Sequence, residues 1–199
     1  MGGGTYVVIA LLIVLVIAAA VALARRGRAG CAFMPGDPAP PKLQSAIYMI
    51  GGDLDCIARL ADEIEERGEG MEARLAPGGE AAAEAAQSLA GARQAITEIR
   101  FSVKRLRATV GTMTPTYLNV LGLYRGLRDG DAAFWGAAAN LEAAGGRMAA
   151  LSSGAAPAAL SSATRQELRA TGARLDQLST CLHNLSRTVH HLGGALELE

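Results

Sequence analysis

The stretch that decides the fold reads LQSAIYMIGGDLDCIARLADEIEERGEGMEARL and covers residues 43–75. Its apolar residues recur at alternating intervals of three and four, which places them on one face of an α-helix. These core positions are Leu43, Ile47, Ile50, Leu54, Ile57, Ala61, Ile64, Gly68, Met71 and Leu75. A repeat kept over so many turns predicts a long helix with coiled-coil-like heptad packing.

Three further ladders of the same kind follow, and short breaks separate them. The breaks contain Pro77-Gly78-Gly79, Thr114-Pro115 and Ser153-Gly154 with Pro157. The third ladder is the least regular and is interrupted at Arg128–Asp131. We predict helices over residues 42–76, 79–113, 116–152 and 157–197. Since short connections make successive helices antiparallel neighbours, the sequence predicts an all-α, up-down-up-down four-helix bundle over residues 42–199.

Before the bundle lies an apolar run, YVVIALLIVLVIAAAVALA, over Tyr6–Ala24. It holds no charge, proline or glycine, and as a helix it would span about 28 Å, close to the hydrocarbon thickness of a bilayer. We predict a short tail over residues 1–5, a single transmembrane helix over 6–24, and an Arg/Pro-rich linker over 25–41. Arg25, Arg26 and Arg28 directly follow the run, so the positive-inside rule places the bundle on the cytoplasmic side.

Two other interpretations of the apolar run remain open. Ala22-Leu23-Ala24 fits the small-x-small pattern of a signal-peptide cleavage site, which would make the protein exported. Ala29-Gly30-Cys31 suits a bacterial lipoprotein, with Cys31 as the lipidated residue. Cys31 is otherwise a candidate for an intermolecular bridge.

Composition narrows the function classes. The net charge is zero and aromatic residues make up only 4% of the chain, so we expect no nucleic-acid partner. We find no phosphate-binding loop, dinucleotide-binding glycine pattern or hydrolase elbow in the sequence, and no Glu-x-x-His pair for a di-metal site. We therefore predict a protein that is not an enzyme and holds no cofactor or metal.

Two cysteines are candidates for a disulfide. If the first and last helices are antiparallel with Leu43 level with Leu196, Cys56 lies within one turn of Cys181. Both flank core positions, so a bond between them is geometrically plausible. It conflicts with a cytoplasmic location, where thiols stay reduced.

The histidines fall in the last helix. His183 and His190 are seven residues apart, so they lie on the same face of that helix, beside its apolar ladder. The run His190–Ala195 resembles the His-x-Leu-Lys-Gly pattern of histidine phosphotransfer domains, which are also four-helix bundles. Gly193 replaces the lysine, and the match covers six residues near the C-terminus. The resemblance would imply a phosphorylated histidine at His190.

Charged residues form two groups. The far half of the first helix carries Asp62, Glu63, Glu65, Glu66, Glu69 and Glu72, either a solvated face or an acidic docking patch. The cations belong to the half of the bundle nearer the linker, where they could contact anionic lipid. The predicted lipid-facing residues are Arg25, Arg26, Arg28, Arg100, Lys104, Arg105 and Arg107.

Three functional hypotheses follow. The first is a membrane-anchored, single-pass helical bundle that acts as a scaffold or partner-binding module, with protein partners or self-association through its helical faces. The second is an exported or viral envelope protein whose surface bundle is stapled by Cys56 and Cys181. The third is a signalling bundle of the phosphotransfer type.

Overall fold

The computed structural model describes residues 36–75, 79–153 and 160–196. The chain divides after Asp37, and the structure described below belongs to the unit that begins at Pro38. The described residues contain four α-helices and no β-strand, which confirms the all-helical, four-helix prediction. They are α1 (Pro41–Leu75), α2 (Glu80–Thr112), α3 (Tyr117–Ser152) and α4 (Ser162–Ala195).

The helices form a closed ring in which each packs against its two neighbours. α1 contacts α2, α2 contacts α3, α3 contacts α4, and α4 returns to α1. Ion pairs between α1 and α2 show that the two helices run in opposite directions. Arg93 of α2 pairs with Glu72 of α1, whereas Arg107, later in α2, pairs with Asp55, earlier in α1. The arrangement is therefore antiparallel.

The core is continuous from one end of the bundle to the other. Every apolar position of the first ladder is buried, from Leu43 to Leu75. In α4, Leu178 is fully buried while Gln177 is exposed, which confirms the predicted register. Thr171 is also buried, and among the described residues its hydroxyl is the one buried side-chain polar atom without a hydrogen-bond partner.

The interruption of the third apolar ladder at Arg128–Asp131 does not break the helix, because α3 runs through it. The apolar positions on either side, Leu127 and Phe134, are both buried. Between them Asp131 accepts a hydrogen bond from the Ser186 hydroxyl of α4, with the two oxygens 2.7 Å apart. A polar pair thus replaces one apolar layer of the α3–α4 seam.

The last helix begins later than predicted. Its first residue is Ser162, because the Ser161 hydroxyl caps the helix by accepting the Thr164 backbone N–H at 3.1 Å. At the opposite end of the bundle, the residues before α1 are tied to the α2–α3 connection. The Ala39 backbone N–H donates to the Pro115 carbonyl at 2.7 Å, and Pro38 bridges to Thr116.

The predicted transmembrane helix over residues 6–24 lies outside the described residues. So do Arg25, Arg26, Arg28 and Cys31. Of the helices in the part of the chain that is described, none has the length and apolar character needed to cross a bilayer.

Candidate functional site

The two cysteines named by the sequence analysis are brought together at the α1–α4 seam. Their sulfur atoms are within bonding distance, and the Cα atoms of Cys56 and Cys181 are 6.6 Å apart. This Cα separation is within the range found for disulfides. Both side chains are half-buried and pack against the core. The geometry therefore permits the bond, whereas oxidation of the pair in the cell stays a prediction.

Ion pairs that were not predicted from the sequence cover the interface between α1 and α2, which we call the α1–α2 seam. Arg93, Arg100 and Arg107 follow one another at heptad spacing along α2, and each reaches a carboxylate on α1. Arg93 pairs with Glu72 at 2.6 Å, and Arg100 pairs with both Asp62 and Glu65 at 2.8 and 2.6 Å. The bond to Glu65 is the main reason why the pKa of Arg100 is raised. The seven-residue spacing of these arginines is the signal that could have predicted the seam.

These ion pairs affect two predictions: the acidic face on α1 and the lipid-facing cations. Much of the acidic group on α1 is neutralised from α2, so it is neither a purely solvated face nor a free acidic patch. Of the described residues predicted to face lipid, Arg100 and Arg107 form ion pairs with α1, whereas within that part of the chain Lys104 and Arg105 form none. Contact with lipid stays a prediction, and it now falls mainly on the latter two.

At the linker end of the bundle, an apolar groove opens between α1 and α2. We call it the α1–α2 groove; it has a volume of about 520 Å³, and its lining includes Ile47, Tyr48, Gly52, Val110 and Met113. Tyr48 is 87% exposed, and the next residue, Met49, is 55% exposed. A Cβ atom added to Gly52 would meet nothing within 4 Å, so the helix surface there is bare. Large apolar side chains thus stand beside an open surface.

A second groove, which we call the α3–α4 groove, is polar and aromatic, with a volume of about 950 Å³. Its α3 side presents Tyr124, Arg128, Asp131 and Trp135, spaced four, three and four residues apart, which aligns them on one stripe. Tyr124 is buried, and its hydroxyl accepts a hydrogen bond from Arg128 at 3.0 Å. The Arg128 guanidinium also lies 6.0 Å from the centre of the Tyr124 ring.

The α4 side of this groove carries both of the histidines noted in the sequence. The rings of His183 and Trp135 meet edge to face, with their centres 4.7 Å apart. His190 is exposed at the other end of the groove, and Arg187, also exposed, directly follows Ser186 near its middle. The histidine spacing and the interrupted ladder on α3 are both visible in the sequence, whereas the antiparallel packing that brings them together is not.

Within the described residues, no cluster of three or more His, Cys, Asp or Glu side chains is arranged to hold a metal ion. Two of the described carboxylates have raised pKa values. Burial raises the pKa of Asp53 on α1, and the nearby Thr188 side chain of α4 partly opposes that shift. Burial also raises the pKa of Asp176, and the nearby Glu142 charge adds to it.

Comparison with known proteins gives no relative: no protein-family model, curated protein or solved structure matches this chain. Function must therefore be argued from the surfaces of the bundle.

Proposed function

We propose that the protein is a membrane-anchored, non-enzymatic helical bundle that binds an amphipathic helix of a protein partner. Residues 6–24 would hold the bundle at the membrane, and the α1–α2 groove would receive the partner helix. One observation carries the proposal: Tyr48 is almost wholly exposed beside an apolar groove, on a bundle whose core is already filled. Exposed apolar surface of this kind is typical of interaction sites.

The lining of the groove favours a helix as the occupant. Ile47, Val110 and Met113 provide apolar contacts, and the bare surface at Gly52 allows another backbone to approach closely. The pair of Asp55 with Arg107 gives the groove a polar rim beyond its apolar part. An apolar centre with a polar rim is the common anatomy of a protein interface.

Photo-crosslinking in native membranes tests the proposal. A benzophenone amino acid replaces Tyr48 in the full-length protein, and the matched control carries it at Phe101 on α2, which is also exposed, at 74%. We expect a discrete adduct from position 48 that Gly52→Gln abolishes, because the added side chain fills the bare surface. The same products from both positions, or an adduct that survives Gly52→Gln, would contradict the proposal.

One observation supports a second candidate, an exported or virion surface protein with a stapled bundle. The sulfur atoms of Cys56 and Cys181 are within bonding distance, and disulfides persist mainly in oxidising compartments. In that case residues 6–24 would be removed, or would anchor the bundle on the outer side. Determining the redox state of this cysteine pair in the natural source therefore distinguishes the two candidates.

A further inference from the structure

The α3–α4 groove offers a second binding surface, independent of the anchor and of the α1–α2 groove. We propose that it binds a small anion that carries a planar aromatic ring. The inference rests on how the two stripes of side chains face one another. Trp135 is level with His183, Asp131 with Ser186, and the Arg128 end of α3 lies against the end of α4 that carries His190.

Arginines provide the attraction for the anion. Arg128 and Arg187 both line the groove, and within the described part of the chain neither takes part in an ion pair. Arg128 is nevertheless positioned, because its bond to the Tyr124 hydroxyl holds the guanidinium against α3. A guanidinium held in this way can bind a carboxylate or phosphate through two parallel hydrogen bonds.

Trp135 provides the surface for the ring. It is the single tryptophan of the chain, and it is 49% exposed. Because His183 meets it edge to face, the tryptophan is oriented by its neighbour while part of its surface remains open to solvent. Offset stacking on an indole is a favourable arrangement for a planar aromatic ligand.

Asp131 limits the choice of ligand. It accepts a hydrogen bond from the Ser186 hydroxyl and lies between Arg128 and Trp135 on α3. Its negative charge repels a second anionic group at the middle of the groove, so the ligand should carry its charge at one end. The volume of about 950 Å³ is within the range of small-molecule sites.

The single tryptophan makes the test direct, because its indole N–H gives one resonance in an NMR spectrum. The full-length protein is held in a zwitterionic detergent and titrated with phenyl phosphate and with benzoate. Inorganic phosphate supplies the anion without a ring, and benzyl alcohol supplies the ring without charge. We expect saturable shifts of the Trp135 indole signal with the two ring-bearing anions, and much weaker binding of the other two.

Substitutions then test whether Arg128 and Arg187 bind the anion. Arg128→Gln and Arg187→Gln should each weaken binding about tenfold, the loss expected for a charge-assisted hydrogen bond. Arg169→Gln is the matched control, since Arg169 is exposed on the same side of α4, five turns from Arg187. Circular dichroism verifies that all three variants keep their helical content. The proposal is overturned if neither ring-bearing anion binds, if benzyl alcohol binds equally well, or if Arg169→Gln costs as much as Arg187→Gln.

Discussion

Cys56 of α1 and Cys181 of α4 face one another across the seam that closes the bundle, with their Cα atoms 6.6 Å apart. They are separated by 125 residues, so a bond between them would join the first helix to the last. The chain entropy lost by the unfolded state on closing so long a loop is large in the loop-entropy model. Such a bond would link the stability of the bundle to the redox state of its compartment.

We predict that the two cysteines become joined when the purified protein is exposed to a mild oxidant. Non-reducing peptide mapping by mass spectrometry should find the Cys56 and Cys181 peptides linked, and Cys56→Ser should lower the free energy of unfolding by about 2–5 kcal/mol. Reducing agent should lower the stability of the natural protein to a similar degree and leave the variant unchanged. Free thiols at both positions would contradict the prediction.

The register of α4 can be tested at two adjacent positions. Leu178→Asp should destabilise the bundle by several kcal/mol, because it buries an unpaired carboxylate in the core. Gln177→Asp should have almost no effect, since residue 177 is exposed. Thermal melts followed by circular dichroism compare the two, and equal melting temperatures would contradict the register.

The glycine pair at 145 and 146 gives a second matched comparison. A Cβ atom on Gly145 would lie 3.1 Å from the Gly172 carbonyl oxygen and would also collide with the Asp176 carboxylate, whereas one on Gly146 would meet nothing within 4 Å. Gly145→Ala should therefore destabilise by about 1–3 kcal/mol through overpacking of the α3–α4 crossing. Gly146→Ala should stabilise by up to about 1 kcal/mol through helix propensity. Denaturant unfolding measures both, and effects of the same sign would contradict the close crossing.

Asp53 should make stability depend on pH. Its pKa is raised in the folded state above the ordinary value of 3.8, so the folded chain holds the proton more tightly than the unfolded chain. The resulting stabilisation is fully present below the unfolded pKa and is lost as the pH rises through the folded pKa. Asp53→Asn should therefore be more stable than the natural protein at neutral pH, and the difference should shrink as the pH falls toward 3.8.

Urea unfolding at a series of pH values measures this effect. The control is Asp129→Asn, at an exposed position of α3. A constant difference between Asp53→Asn and the natural protein across the pH range would contradict the prediction. A residual dependence in the variant is expected from Asp176, whose pKa is also raised.

The helices could be predicted from the sequence because the apolar residues of each ladder gather on one face only if the segment is an α-helix. The start of α4 was missed because the Ser161 cap is a single local hydrogen bond, and a hydroxyl residue three positions before Thr164 is a weak signal. The grooves and the ion-paired seam could not be predicted in the same way. They depend on which stripes the antiparallel packing brings together, as with Asp131 and Ser186, which are 55 residues apart.

The membrane attachment of an intact chain is the central claim, and one measurement tests it most directly. The protein is isolated from the membrane fraction of its natural source after alkaline washing, and its intact mass is determined. We predict a membrane-bound species whose mass still includes residues 6–24. A soluble species whose mass corresponds to a chain beginning at Arg25 would contradict it, because residues 6–24 would then be a cleaved signal rather than an anchor.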